Sequence, residues 1–411
     1  MVKEIGAGSV IVEIMSMASS KNLRKVVNKV LFLNQYTPTW RHIRNHNYTN
    51  VYMKWKSDSY FDSIESIHKS IQLKPIIALK NRITASPDGC IPVSDVSKKG
   101  LQLEIPIKVA RFLRLYPSVF EEFTGPKYNL PWFRLTPEAA ILHDEEQAVY
   151  RDFKADLQER LRKLILMSVE NKLPLKIIKG MLWYLGLPED YLDGNVDRCF
   201  KVVEMGDGLK GLSVVQTEKT LSVIQKNALR TGVYNGGQME SISFPLFPSK
   251  GLRLRSKILD WLDGFQKLPY VSPYEGCSDL CPGSDLSEKR VVGLLHELLS
   301  LFVEHSAERK KLLCLRKYLG LPQKVHKVFE RHPCVFYLSL RNNTCTAILK
   351  ETYCDKMAIE AHPLATVRRK YIDLVMESKV ILKNQRLQNH SFCSGEGDLK
   401  VEDTHSASQC L

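Results

Sequence analysis

Cations recur along this chain at spacings that suit a polyanion. Lys108, Arg111 and Arg114 fall three residues apart, and Lys324, Lys327 and Arg331 form a similar row towards the C-terminus. Residues three or four apart share a helix face, so each row can meet successive phosphates of a nucleic acid. Lys172, Lys176 and Lys179 make another row on an adjoining segment. Single cations, Lys127, Lys210 and Arg341, sit near the tips of three expected β-hairpins. Charged helix stripes are more often plain solvated faces, and it is the repetition at matched positions that favours phosphate contact. Tyr116, Trp132 and Phe133 could stack on unpaired bases, although at this spacing such aromatics more often fill a core.

Other chemistry is poorly represented. The chain has no G-x-x-x-x-G-K-[ST], H-E-x-x-H, G-x-S-x-G or C-x-x-C motif. Cys277 and Cys281 are the nearest approach to a metal pair, with His296 and His305 downstream, but a Gly/Pro-containing linker explains that stretch better. Cys334, Cys345 and Cys354 lie in or beside the third hairpin, where small buried thiols are more common than nucleophiles. A cysteine hydrolase would need a Cys, a His and an orienting Asn or Asp converging in space, and no such environment is visible. We therefore expect no metal, no cofactor and no enzymatic activity.

The basic rows belong to a module that appears three times. Taking Pro106, Pro188 and Pro322 as origins, the next anchor, eleven residues on, is Pro117, Cys199 or Pro333, and three further on it is Phe120, Val202 or Phe336. Proline at a first helical position lacks only an N–H that would be unpaired anyway, so each origin is expected to open a helix. Val109, Phe112 and Leu113 in the first copy, and Val325, Val328 and Phe329 in the third, make one apolar helical face. The middle copy is degenerate there, with Gly194 and Asn195 at apolar offsets and Asp190 and Asp193 where the others carry cations. Each copy continues into two β-rich runs around a turn, 119–136, 200–215 and 335–349. Each is preceded by another helical candidate, 92–99, 175–185 and 308–319. The expected architecture is α+β and predominantly helical, with tandem helix-turn-helix modules each followed by a β-hairpin, as in winged helices. The modules lie near 92–137, 175–216 and 308–350.

The 411 residues carry 59 Lys and Arg against 45 Asp and Glu, a formal charge of +14. Residues 1–57 hold nine basic residues and two acids, Glu4 and Glu13, so half the excess sits there. That stretch alternates Lys21, Arg24, Lys25 and Lys29 with apolar residues and follows Ser16, Ser19 and Ser20, the pattern of an organellar transit peptide. The two glutamates fit such a leader badly, and Met15 or Met17 offers a better start. Residues 58–383 form the binding domain, and 384–411 read as a disordered polar tail. No run of about 18 apolar residues is present, so no membrane insertion is expected.

The blocks IPVSDVSKKGLQLEIPIKVARFLRLYPSVFEEF (91–123), PWFRLTPEA (131–139), LGLPEDY (185–191) and HPCVFYLSLRNNTCTAILKE (332–351) resemble the plant organelle RNA recognition (PORR) domain. The resemblance runs from about Tyr60 to Lys383 and departs from the family at the Glu-bearing start and the poorly helical second copy. It implies a mitochondrial protein, or alternatively a chloroplast one, that binds group II intron RNA and promotes its splicing alongside other splicing factors. In that reaction the intron RNA performs the transesterification with Mg²⁺, so the protein need not be the catalyst. An organellar DNA-binding protein using winged-helix modules is the alternative from the module order, and a cysteine hydrolase the remote one. The resemblance assigns no site residues; those above rest on charge placement.

Overall fold

The computed structural model describes residues 57–394 apart from 99, 101–102, 104, 106, 126–129, 195–197, 207, 216–217, 238, 277–279, 342–344 and 355–356. The expected leader, Pro106, Lys127, Asn195, Cys277 and residues 395–411 of the expected tail lie outside the described residues. The elements below belong to one large compact unit, residues 51–276 with 288–411, except the first residues of the helix that begins at Asp285.

Two helices come first, α1 (Ser59–Asp62) and α2 (Glu65–Thr84). The first module follows as strand β1 (Cys90–Pro92), helices α3 (Val93–Ser97) and α4 (Val109–Arg114), and hairpin β2 (Phe120–Thr124) with β3 (Pro131–Leu135). Helices α5 (Pro137–Asp152) and α6 (Lys154–Leu166) lead into the second: β4 (Lys172–Pro174), α7 (Leu175–Leu185), β5 (Phe200–Glu204) and β6 (Lys210–Val214). Helices α8 (Val223–Arg230), α9 (Ser256–Lys267) and α10 (Asp285–Ser300) precede the third. That module contains β7 (Ser306–Glu308), α11 (Arg309–Cys314), α12 (His326–Arg331), β8 (Phe336–Ser339) and β9 (Thr346–Leu349). A two-stranded pair, β10 (Tyr353–Cys354) and β11 (Met357–Ala358), leads to the long α13 (Pro363–Ser394). The fold is α+β and predominantly helical, as the sequence indicates.

The three hairpins form where the alternating runs place them. Each is completed by a strand the sequence did not reveal: the sheet orders are β1-β3-β2, β4-β6-β5 and β7-β9-β8, all antiparallel. The added strands, CIP, KLP and SAE, have only three residues each, too few to show a period of two. They take the first residue of the helices expected at 92–99 and 308–319, which run as Val93–Ser97 and Arg309–Cys314.

Pro188 and Pro322 do not open helices directly. The Val325 N–H donates to the Pro322 carbonyl at 3.1 Å, a tight turn, and α12 starts only at His326. In the middle copy the N–H groups of Tyr191 and Asp193 donate to the carbonyls of Pro188 and Asp190, and residues 189–193 remain turns. The LGL that precedes each of these two prolines has its own reason. Gly186 and Gly320 sit at φ +81° and +61°, a conformation that costs a side chain strain and that glycine adopts freely. With it, the Leu187 N–H reaches the Leu182 carbonyl at 2.9 Å and closes the end of α7.

The middle and third modules share one core built around Leu173, Ile178, Leu212, Leu298, Phe302, Val328 and Phe336. The first module packs a second core against α2 and α13 through Leu79, Phe112, Phe133, Tyr371 and Ile372. Ser118 ties the first module to α13: its Oγ donates to the Leu374 carbonyl at 2.5 Å, and its N–H donates to the Ser378 Oγ at 3.2 Å. Because α13 extends to Ser394, residues 384–394 are helical rather than part of a disordered tail.

Candidate nucleic-acid interface

In the first module, burial of Val109, Phe112 and Leu113 (3%, 5% and 0% exposed) turns the other face of α4 outwards. Lys108, on extended backbone just before the helix, and Arg111 within it are both exposed and make no ion pair among the described residues. Arg114 is also exposed, but its guanidinium forks onto Glu122 of β2 with two hydrogen bonds of 2.6 Å. That hydrogen bonding holds the Glu122 carboxyl below the usual carboxylate range, against the opposing effect of partial burial. Arg134 and Glu121 repeat the pairing across the hairpin at 2.9 Å. Of the aromatic candidates, Phe133 is 1% exposed and belongs to the core. Tyr116 packs edge-on against Phe112 with centroids 5.0 Å apart, and Trp132 is half-buried.

The third module repeats the arrangement. Val325, Val328 and Phe329 point inwards, while Lys324 and Lys327 are exposed without an ion-pair partner among the described residues. Arg331 turns the other way. Its Nε and a terminal nitrogen hold the buried Glu288 carboxylate at 3.0 and 2.5 Å, and His332 Nε2 lies 3.2 Å from the same group. Arg341 donates to the Asp62 carbonyl at the end of α1. The charges of Arg114, Arg331 and Arg341 are thus directed at the protein itself.

In the middle module no described residue between Pro188 and β5 is helical, and exposed cations lie on α7. Ile178, Met181, Leu182 and Leu185 are buried, whereas Lys176 and Lys179 are exposed. Lys172, in β4, pairs with Glu170 at 2.8 Å, and Lys210 is exposed at the start of β6. Lys179 borders a cavity of about 210 Å³ that also receives Lys74 from α2, Lys311 from α11, Arg368 from α13, and Trp183. The sequence reading did not single out those four residues. Lys74 and Arg368 lie outside the repeated modules, so matched offsets could not find them, and Trp183 reads as part of an apolar helix face.

Among the described residues no group of three or more His, Cys, Asp or Glu is placed to hold a metal ion. His296 is buried with its Nε2 2.6 Å from Glu351, and burial pushes His305 down to about 4. Burial raises the thiols of Cys334 and Cys345, which disfavours the reactive thiolate. No described helix is long and apolar enough to cross a membrane.

Exposed cations without an ion-pair partner among the described residues recur at matched positions on the first and third modules. The chain belongs to the plant organelle RNA recognition (PORR) family, whose domain matches residues 56–380. It is 61% identical over 346 residues to Protein WHAT'S THIS FACTOR 9, mitochondrial, of Arabidopsis thaliana, covering 82% of this chain and 89% of that protein. It is 28% identical to Protein WHAT'S THIS FACTOR 1, chloroplastic, of Zea mays, over 79% of this chain and 67% of that protein. Protein ROOT PRIMORDIUM DEFECTIVE 1 of Arabidopsis thaliana is also 28% identical, over 78% of this chain and 82% of that protein. No solved structure matches the chain. The protein is a mitochondrial member of the family with an organellar, RNA-related function.

Proposed function

We propose that this protein binds group II intron RNA in the mitochondrion and promotes its splicing without supplying the catalyst. The observation that carries this reading is the pair of exposed cation sets, Lys108 with Arg111 and Lys324 with Lys327, carried at matched sequence positions by the first and third modules. Lys176, Lys179 and Lys210 of the middle module extend the set, and Lys127 belongs to it by its place in the first hairpin. Arg114, Lys172, Arg331 and Arg341 contribute less, because each already faces a carboxylate or carbonyl. Held on packed helices, such cations displace counterions from RNA phosphates, and the bound intron is kept in a splicing-competent shape.

The test is a salt titration of binding to an organellar group II intron transcript. Lys108→Ala, Arg111→Ala, Lys324→Ala and Lys327→Ala together should lower affinity at least tenfold. The slope of log affinity against log salt should flatten by about 3, at roughly 0.7 per lost contact to single-stranded RNA. Unchanged binding by the quadruple variant would refute the assignment. Duplex DNA competing as well as intron RNA would move the reading to a DNA-binding protein, which the order of helices and hairpin in each module also suits.

A further inference from the structure

The cavity beside Lys179 has features that a row of phosphate contacts does not need. It lies among α2, α5, α7, α11 and α13, and its polar lining is Lys74, Asn81, Tyr150, Lys179, Glu189, Lys311 and Arg368: four cations, one carboxylate and a phenol whose hydroxyl donates to Glu146. Arg368 is locked in place. It is 5% exposed and donates to Glu304 Oε1 at 2.6 Å and to the Trp183 carbonyl at 2.7 Å. Its guanidinium carbon lies 3.8 Å from the Trp183 ring centroid, which fixes the plane of a half-buried indole at the cavity wall. Lys74 is held over the neighbouring Tyr184 ring at 4.8 Å.

The remaining groups are uncommitted. Lys179 and Lys311 make no ion pair among the described residues, and the Asn81 amide makes no hydrogen bond there. A planar aromatic wall, an amide able both to donate and to accept, and two available ammonium groups match one kind of ligand. It is flat and aromatic, has polar edges, and carries an anion: a nucleotide. An acidic peptide would use the lysines and the amide but, without an aromatic side chain, would leave the indole unmatched.

We propose that this cavity takes one unpaired nucleotide of the bound RNA, its base against Trp183 and Asn81 and its phosphate held by Lys179 and Lys311. The inference rests on the RNA-binding reading and adds to it a preference for RNA with an unstacked residue over a continuous duplex.

The experiment titrates the full chain with a blunt RNA duplex, with the same duplex bearing a single-nucleotide bulge, and with adenosine and uridine monophosphates. The chain has five tryptophans, so the Trp183 signal is taken as the difference from a Trp183→Phe chain. The bulged RNA should bind about tenfold more tightly than the duplex and quench Trp183. Asn81→Ala, Lys179→Ala and Lys311→Ala combined should bring that ratio below about twofold. The quadruple variant of the first and third modules should weaken both RNAs and leave the ratio intact. A wild-type chain that binds both RNAs equally well overturns the inference while leaving RNA binding in place. So does a triple variant that keeps the ratio. A chain that binds neither RNA overturns the functional reading itself. Quenching by a monophosphate at the same concentration as the bulged RNA assigns the cavity to a free nucleotide and overturns its place in RNA recognition.

Discussion

The middle and third modules share a sheet order and a glycine-closed turn, yet they bury their hairpins to opposite degrees. Every position of β7, β8 and β9 is buried. One reason is the segment from α1 into α2: Phe61 of α1 stacks on Tyr337 with centroids 5.3 Å apart, and Ile64 before α2 and Ile67 within it join Ile348 and Tyr353 in a small cluster. In the middle module β5 has one buried position, and Val202, Leu209 and Val215 are 51%, 45% and 58% exposed. The second helix differs in parallel. The third module has α12 with Lys327, preceded by Lys324, whereas the middle one has turns carrying the exposed Asp190 and Asp193. A repeated frame thus sets the sheet, while the elements packed around each copy decide which surface is left for a partner.

The largest effect should separate the two hairpins by stability. Phe336→Ala in β8 removes a side chain that is 1% exposed and should cost about 3–5 kcal/mol. Val202→Ala in β5 should cost less than about 1 kcal/mol, because half of that side chain already meets water. Urea unfolding of both variants checks this, and equal losses would end the contrast.

Next in size is Arg331→Ala, expected to cost about 3 kcal/mol by leaving the Glu288 carboxylate buried with only His332 beside it. Burial alone would raise the Glu288 pKa, but hydrogen bonds and charge from His332 and Arg331 together outweigh it, and the carboxyl lies low. A depressed folded-state pKa gives stability that is complete above the unfolded value near 4.3 and is lost as pH falls through the folded value. The gap between wild type and variant, read from thermal unfolding, should therefore narrow below about pH 4. A gap that stays constant would show that lost packing, not charge, sets the cost.

Smaller differences lie in binding. Lys324→Ala with Lys327→Ala should flatten the salt dependence of RNA binding by about 1.4, again at roughly 0.7 per contact. Lys176→Ala with Lys179→Ala should match that slope but also lose selectivity for unpaired nucleotides, since Lys179 borders the cavity. The smallest expected change is a gain. Asp190→Lys with Asp193→Lys restores to the middle module the charges its sister modules carry, and should tighten binding about threefold at low salt. No gain would mean that this surface of the middle module does not face RNA.

Much of this architecture was legible in the chain because its signals are local. Alternation over four or five residues located the hairpins, and apolar positions three and four apart identified α4 and α12. The three-residue strands were not legible, since they acquire meaning only by pairing with a strand far along the chain: Ile91 with Phe133, Leu173 with Leu212, Ala307 with Ala347. The helix spanning 384–394 was missed because its composition is polar and it continues a long helix begun at Pro363.

The sequence by itself determined the number of modules, the inward faces of their helices, and a set of cations that fall outward once those faces are buried. These follow from periodicity and from the exclusion of apolar side chains from water. Only the tertiary structure decided which cations remain available. It turns Arg331 onto Glu288, 43 residues away, and Arg341 onto the end of α1. It also gathers Lys74, Lys179, Lys311 and Arg368 from four helices around one tryptophan. Charge spacing shows where a cation can point; which carboxylate, carbonyl or empty space it meets depends on contacts between segments far apart in the chain.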